Sequence, residues 1–215
     1  MIGILDYGMG NLHSVASALK RLDVECIVSS KQSELEETDG LILPGVGAFK
    51  DAIDLLKEEG HIAFLKDYVQ RKPLLGICLG MQLLFDESEE HGLTGGLGLL
   101  PGRVRRFADG GYKVPHMGWN QLIVHRPQEP LIKNLKADFA YFVHSYYVQN
   151  DDKSLLIATA EYGVDVPAIV GKGRVFGTQF HPEKSGEFGL QLLSHFCQLS
   201  ERGVIYDAIY HISRH

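Results

Sequence analysis

Apolar and polar residues along this chain follow two different periods, and the change between them divides the sequence in two. In the first hundred or so residues, short apolar runs alternate with segments whose apolar residues recur at helical spacing. The runs predict strands at residues 1–5, 25–29, 40–43 and 74–77. The spaced segments predict helices around residues 12–19, 51–57 and 62–70. Ser33, with Glu36 three residues later, predicts a capping box at the start of a short helix.

After Arg103 the pattern changes to short runs of strand-forming residues separated by turn residues. These predict strands at residues 104–107, 121–124, 139–143, 155–159, 168–170 and 175–180. A last helix is predicted over residues 187–199. Alternating strands and helices followed by a β-rich part predict an α/β fold: an open, mostly parallel, twisted sheet with helices on both faces and added antiparallel strands. In such sheets, sites form outside the carboxyl ends of the strands.

The first candidate for chemistry is a cysteine at the end of a predicted strand, with Gly76, Cys78 and Gly80 in the spacing G-x-C-x-G. Small residues on both sides of a nucleophile permit the strained turn known as a nucleophile elbow. A thiol placed there lies at a helix N-terminus, whose partial positive charge favours the thiolate. A buried structural cysteine in a glycine-rich turn is the alternative interpretation.

The second candidate lies about a hundred residues later, where His181 and Glu183 flank Pro182 after the last predicted strand. In an extended segment, a spacing of two places both side chains on one face. The imidazole can then accept the thiol proton while the carboxylate orients its other nitrogen. Taken with the elbow, this pair predicts a triad of Cys78, His181 and Glu183 rather than a solvated strand end.

A third candidate is the loop after the strand at 40–43, where Gly45 and Gly47 stand on either side of Val46. Peptide N–H groups in such a loop can hold a developing oxyanion at a neighbouring site. From the loop alone, an ordinary glycine turn is the favoured interpretation.

These three segments together resemble the class I, or triad-type, glutamine amidotransferases, which hydrolyse glutamine to glutamate and ammonia. The resemblance runs from residue 1 to about residue 199, and its triad motifs are specific to the superfamily. It implies an oxyanion hole formed by Val46, Gly47 and the backbone of Leu79. It also implies glutamine binding by Gly45, Gln82, Ser145 and Tyr146. Without the resemblance, Gln82 is as well explained as a helix-surface amide.

Two further motifs, at residues 6–12 and 114–120, look like those of the glutaminase subunits of imidazole glycerol phosphate synthases. That resemblance implies a heterodimer with a cyclase of (β/α)₈-barrel fold, which would use the ammonia. It further implies a partner interface at Asn11, Met117, Trp119, Asn120 and Lys184. From residue type alone, Trp119 is equally a core residue or an interface anchor, and Lys184 a solvated charge.

Two other functions stay open at this point. One is the glutaminase subunit of pyridoxal phosphate synthase, which is of comparable size and also bound to a barrel; the motif at 114–120 argues against it. The other is a binding subunit that kept the fold and lost the chemistry, against which the intact Cys78, His181 and Glu183 argue. His144 is a rival candidate for the base, but it lacks a carboxylate two residues later.

Composition narrows the class of protein and its setting. A net charge of −6 argues against a nucleic-acid-binding surface. The sequence shows no signal peptide and no apolar stretch near the roughly 18 residues that span a bilayer. Three scattered cysteines are too few for a disulfide framework, so a reducing cytoplasm is expected. No metal or organic cofactor is expected either, because thiol, imidazole and carboxylate can supply every proton transfer.

The remaining segments carry weaker signals. The acidic run at residues 86–91 is interpreted as a solvated face rather than a metal site. Residues 1–200 are predicted to form one amidotransferase domain. Residues 201–215 extend past the usual end of that domain, and their sequence assigns them no role.

Overall fold

The computed structural model describes residues 1–108, 110–136 and 138–201. Within them the chain forms six α-helices: α1 Leu12–Arg21, α2 Gln32–Glu36, α3 Phe49–Glu58, α4 His61–Arg71, α5 Leu79–Leu83 and α6 Gly186–Glu201. The same residues form thirteen strands: β1 Ile2–Leu5, β2 Cys26–Ser29, β3 Gly40–Leu43, β4 Leu74–Ile77, β5 Glu87–Ser88, β6 Thr94–Gly95, β7 Arg103–Arg106, β8 His116–Val124, β9 Phe139–His144, β10 Tyr146–Gln149, β11 Leu156–Glu161, β12 Asp165–Lys172 and β13 Val175–Thr178. Single 3₁₀ turns occur at Lys153–Leu155 and Pro182–Lys184.

The larger sheet has nine strands in the order β2-β1-β3-β4-β13-β12-β11-β8-β9. The strands from β2 to β13 pair in parallel. The strands from β13 to β9 pair antiparallel. The predicted α/β fold with added antiparallel strands is therefore confirmed. The order of the first five strands is that of a flavodoxin-like sheet, in which ligands bind beyond the carboxyl ends of the strands.

Both faces of the parallel half are covered by helices, which explains its continuous apolar runs. Strands β1, β3, β4 and β13 are buried along their whole length. Alternate residues of β3 enter opposite cores: Ile42 packs with α1 and α6, while Leu41 and Leu43 pack with α3 and α4. This alternation is what a strand produces when both sides of its sheet are dry.

A second sheet of four strands, in the order β10-β7-β5-β6, lies beside the first. Ser145 alone separates β9, the edge of the large sheet, from β10, the edge of the small one. Its carbonyl accepts a hydrogen bond from the backbone N–H of Phe107, 3.2 Å away. The chain therefore passes from one sheet to the other through a single residue.

Several local predictions were wrong in detail. The capping box is absent, because α2 begins at Gln32 and Ser33 lies inside it. The N-cap of α2 is Lys31, which makes no side-chain cap hydrogen bond, and the Ser29 hydroxyl accepts from the Lys31 N–H at 3.0 Å just before the helix. Strand β8 starts five residues before the predicted strand at 121–124, β13 ends two residues before residue 180, and β10 was not predicted.

Other expectations stand as follows. No helix in the described part of the chain is long and apolar enough to cross a membrane. The single domain over residues 1–200 stays a prediction. The tail at residues 201–215 lies outside the described residues apart from Glu201.

Candidate active site

Three loops that follow parallel strands meet at one edge of the large sheet. Residues 44–48 follow β3, Cys78 follows β4 and His181 follows β13 closely. Because β3, β4 and β13 are adjacent and parallel, their carboxyl ends lie side by side. The sheet thus brings together the three segments that the sequence singled out.

Cys78 occupies a strained turn between β4 and α5. Its backbone lies at φ 55° and ψ −111°, a conformation that few non-glycine residues adopt. The flanking glycines are required by close packing. A Cβ on Gly80 would lie 1.9 Å from the Leu43 carbonyl oxygen, and one on Gly76 would lie 2.6 Å from the Gly80 carbonyl oxygen. The spacing G-x-C-x-G is therefore a steric requirement of the elbow.

His181 and Glu183 are in contact, although the predicted reason for that contact was wrong. The residues are not part of one extended segment, because Pro182–Lys184 forms a 3₁₀ turn. The turn still directs Nδ1 of His181 to Oε1 of Glu183, at 2.8 Å. Both side chains are almost fully buried, with 4% and 1% exposure.

The imidazole of His181 also interacts with the side chain of Cys78, which lines the same cavity. Burial acts to lower the pKa of His181, but its bonds and charge interactions with Cys78 and Glu183 raise it well above the usual value. The arrangement therefore favours an imidazolium at His181 beside the Cys78 sulfur. A thiolate is the form of cysteine that attacks an acyl carbon, and an imidazolium can protonate a leaving amine.

A cavity of about 380 Å³ opens over the thiol. Its wall includes Cys78, His181 and six more of the residues predicted for the site: Val46, Gly47, Leu79, Gln82, Ser145 and Tyr146. Its volume lies in the range of about 300–1,000 Å³ typical of small-molecule sites. Glu183 lies behind His181, where it can orient the ring without contacting a ligand.

Gly45 lies outside the cavity wall, contrary to the expectation that it contacts substrate. A Cβ at this position would lie 2.7 Å from the Gly80 nitrogen and 3.0 Å from the Tyr7 hydroxyl. Tyr7 in turn donates to the Pro44 carbonyl at 2.8 Å. Gly45 therefore lets the loop pack against the elbow, which brings Val46 and Gly47 to the wall.

Gln82 has the position expected of a substrate-binding amide, with one half of the amide already engaged. Its Nε2 donates to the Tyr146 carbonyl at 2.9 Å and to Oε1 of Gln179 at 3.1 Å. Only the carbonyl end of the Gln82 amide is left for a ligand. Sequence reasoning missed Gln179, which is fully buried and directs its Nε2 at the Cys78 sulfur, 3.9 Å away.

Four further residues of the wall were not predicted as ligand contacts: Glu90, Pro115, Val143 and His144. The interpretation of residues 86–91 as a solvated face was wrong for Glu90. This carboxylate accepts from the Phe49 N–H at 2.8 Å and faces the cavity. It supplies a negative charge beside the thiol site, where the ammonium of an amino acid can bind.

His144 is excluded as the base by its hydrogen bonds. Its Nδ1 contacts the Tyr146 carbonyl at 2.8 Å and its Nε2 contacts Nδ1 of His116 at 2.9 Å. Burial lowers the pKa of His144 to about 3. Both ring nitrogens are occupied and the ring is neutral, so His181 alone is placed to exchange a proton with the thiol.

The residues expected at a partner interface lie on β8, at the start of α1 and in the 3₁₀ turn at Pro182–Lys184. Met117 and Trp119, on β8, are 61% and 57% exposed, so the core interpretation of Trp119 is wrong. Trp119 packs in a T-shaped arrangement against Tyr141 in the next strand, with ring centroids 6.0 Å apart. Asn120 is half-buried, and Lys184 is exposed beyond Glu183. Asn11 caps α1, accepting from the Ser14 N–H.

Comparison with known proteins agrees with this geometry. Residues 3–198 match the family described as glutamine amidotransferase class-I. A solved structure titled "Crystal structure of glutamine amidotransferase" aligns with a TM-score of 0.74 at 26% identity, covering 93% of this chain and 98% of that one. A second, titled "Structure of PurLQS from Thermotoga maritima", shares the fold with a TM-score of 0.73 at 19% identity, covering 92% of this chain and 97% of its own.

Relatives of higher identity span nearly the whole chain. A protein of Geobacillus sp. (strain WCH70) named "Imidazole glycerol phosphate synthase subunit HisH" is 58% identical over 94% of this chain and 98% of its own. The protein of that name from Halalkalibacterium halodurans is 57% identical, over 95% and 98%. That from Bacillus subtilis (strain 168) is 51% identical, over 93% and 97%. This chain belongs to the class-I glutamine amidotransferase family.

Proposed function

We propose that this chain is the glutaminase subunit of an imidazole glycerol phosphate synthase, and that it supplies ammonia from glutamine to a cyclase subunit. The observation that carries the chemistry is the strained Cys78 turn, whose thiol shares a cavity wall with the imidazole of His181, which a buried Glu183 orients. The identity to relatives named as this subunit, 58% over nearly their full length, selects the pathway.

In this proposal Cys78 attacks the side-chain carbonyl carbon of glutamine. Val46, Gly47 and the backbone of Leu79 hold the oxyanion that develops. His181 protonates the leaving nitrogen, so ammonia departs and a glutamyl thioester remains. A water molecule, deprotonated by His181, then attacks the thioester and releases glutamate with the thiol restored.

Substrate recognition follows from what is left free on the cavity wall. The carbonyl oxygen of the Gln82 amide and the carboxylate of Glu90 accept hydrogen bonds from the amino groups of glutamine. Ser145 and Tyr146 contact its amino-acid end. In this arrangement the Gln82 carbonyl oxygen, the Glu90 carboxylate and the segment at residues 145–146 surround the glutamine zwitterion.

The ammonia acceptor is proposed to be a (β/α)₈-barrel cyclase, bound as a heterodimer in the cytoplasm. The exposed Met117 and Trp119 side chains of β8 offer an apolar docking surface beside the cavity. Ammonia released there would react with the cyclase substrate to give imidazole glycerol phosphate and an aminoimidazole carboxamide ribotide.

The test is to purify the chain with the cyclase subunit of the same organism and to supply glutamine labelled with ¹⁵N in its amide. We expect a one-to-one complex that transfers the label to imidazole glycerol phosphate. The complex with Cys78→Ser should make product from ammonium salts but not from glutamine. Failure to bind the cyclase, or labelled ammonia released without product, would contradict the proposal.

A further inference from the structure

Two buried histidines connect the docking strand to the cavity. His116 on β8 and His144 on β9 are directly opposite each other in the strand register. Their rings are 2% and 6% exposed, and Nδ1 of His116 lies 2.9 Å from Nε2 of His144. Neither ring belongs to the triad, so the reaction described above leaves this pair without a role.

One end of the pair fixes the direction of its hydrogen bonds. Nδ1 of His144 lies 2.8 Å from the Tyr146 carbonyl, which can only accept, so Nδ1 carries the proton. In a neutral ring Nε2 of His144 must then accept. The Nδ1 of His116 is therefore the donor of the contact between the two rings.

The other end of the pair independently gives the same direction. Nε2 of His116 must accept, and its neighbour is the side-chain nitrogen of Asn120, 3.1 Å away. That amide cannot be flipped, because its nitrogen donates to the Glu161 carbonyl at 2.8 Å and its oxygen accepts from the Gln121 N–H at 2.8 Å. If His144 were doubly protonated, Nδ1 of His116 would have to accept and its Nε2 would carry a proton. That proton would face the donor nitrogen of Asn120. The position of every proton in this series of hydrogen bonds is thus determined.

The series of hydrogen bonds continues beyond the Tyr146 carbonyl. That oxygen also accepts from Nε2 of Gln82, which in turn donates to Gln179. Gln179, whose side-chain oxygen accepts that bond, directs its amide nitrogen toward the Cys78 sulfur. One carbonyl oxygen is therefore shared between a path to the docking strand and a path to the nucleophile.

We propose that His116 is a positioning residue for glutamine, acting through His144 to fix the Ser145–Tyr146 backbone on the cavity wall. The inference rests on the proposed glutaminase function. Ring packing alone does not call for a histidine here. His116 is stacked between Phe142 and Tyr162, with centroids 4.5 and 3.9 Å away, where a phenylalanine ring fits as well. What the imidazole adds to such a ring is the directed donor and acceptor pair.

The decisive variant is His116→Phe, which keeps the stacked ring and removes both hydrogen bonds. In the complex with the cyclase, we expect the KM for glutamine to rise about tenfold with a smaller change in kcat, because a buried acceptor on His144 loses its donor. Alkylation of Cys78 by iodoacetamide should keep its rate, since the triad is untouched. A general loosening of the fold would instead change kcat, alkylation and melting temperature together.

Two companion variants separate the hydrogen bond from the ring. His116→Asn places an amide nitrogen near the position of Nδ1, so it should recover most of the KM despite losing the stack. His61→Phe is the matched control: His61 is equally buried, lies on α4 and is not part of the cavity wall. This control should leave the glutaminase kinetics unchanged.

Each outcome bears on one proposal in particular. An active unmodified complex whose His116→Phe variant has an unchanged KM would overturn the inference alone. An unmodified complex that hydrolyses no glutamine would overturn the proposed function and the inference with it. If the phenylalanine variant fails to fold, ¹⁵N spectra of the unmodified chain still decide. His116 and His144 must both be protonated at Nδ1, and a proton on Nε2 of either ring would contradict the proposed series of hydrogen bonds.

Discussion

The two halves of the nine-stranded sheet contribute to the site in different ways. In the parallel half, β2 to β13, strands β1, β3, β4 and β13 are buried on both faces, and the functional groups Cys78, His181 and residues 44–48 lie beyond strand ends. The antiparallel half, β12 to β9, exposes every second residue of β8. Its outward residues include Met117 and Trp119, and its inward residues include His116.

This difference indicates a division of labour. A strand buried on both faces can position a reacting group rigidly, but it has no side to offer a partner. A strand with one wet face can bind a partner on that face and contact the substrate wall through the other. We therefore expect changes in the parallel half to abolish chemistry, and changes in the antiparallel half to alter substrate and partner binding.

The largest effect should come from the triad. We expect Cys78→Ala to lower glutamine turnover by about 10⁴-fold or more without unfolding the chain, because it removes the nucleophile and little buried volume. His181→Ala should be nearly as severe. Glu183→Gln should be milder, because an amide oxygen can still accept from Nδ1 of His181. Ammonia release and thermal melts measure both effects; substantial activity in Cys78→Ala would contradict the assignment.

Next in size is the loop after β3. Gly47 lies at φ 101°, a value that proline cannot adopt, so Gly47→Pro must rotate the neighbouring peptide. Losing one oxyanion donor costs about 10²–10³ in rate. We expect that loss in partner-stimulated turnover with little change in partner affinity. We also expect the cyclase to stimulate glutamine hydrolysis, because ammonia released without an acceptor is wasted. The isolated chain should then hydrolyse glutamine slowly while its thiol still reacts with electrophiles. Equal turnover by the isolated chain and the complex would contradict this stimulation.

A third change tests the packing of the elbow. Gly80→Ala would place a Cβ 1.9 Å from the Leu43 carbonyl oxygen, so strand and helix must separate. We expect a loss of about 3 kcal/mol or more in the free energy of unfolding, measured in denaturant. Gly95→Ala is the control, since a Cβ there meets nothing within 4 Å. A similar small effect in both variants would show that the motif is not sterically required.

The antiparallel half is tested by Trp119→Ala. If Trp119 is an exposed anchor, its replacement should weaken cyclase binding by about 2 kcal/mol and leave the melting temperature of the free chain almost unchanged. A buried tryptophan would instead cost about 3–5 kcal/mol of stability. A binding titration beside a thermal melt distinguishes the two, and unchanged affinity would remove β8 as the docking strand.

The smallest effect concerns the helices that cover the parallel half. Burial lowers the pKa of His61, against a smaller opposite influence of Glu59. Unfolding then takes up a proton below the ordinary histidine pKa of about 6.5, so stability is full above that pH and declines as pH falls. His61→Phe should lessen the decline between about pH 6.5 and pH 5. Parallel denaturant curves for both proteins would show no difference if His61 were solvated.

The sequence predicted the parallel half better than the antiparallel half, for a physical reason. Apolar runs such as residues 40–43 mark doubly buried strands directly, and that strand was predicted at its true bounds. Pro115, just before β8, and Gly118, within it, are typical of a loop, and the exposed Trp119 hides the alternation. The first half of this strand was therefore missed.

The site shows the same limit. Cys78, His181 and Glu183 belong to local motifs, so their contact could be predicted even though the expected extended geometry was wrong. Gln179 and His116 have no local signal. Their roles depend on side chains far away in sequence, such as Gln82 and His144. Only the folded chain reveals such partners.

The single residue between β9 and β10 has a consequence for how this chain can change in evolution. Ser145 joins two sheets, so the chain has no slack on either side of it. One inserted or deleted residue there would turn every side chain of β10 to the opposite face and carry Tyr146 away from the cavity. Residue types along this stretch can vary, but its length is expected to stay fixed. The surface loops can lengthen without cost to the site.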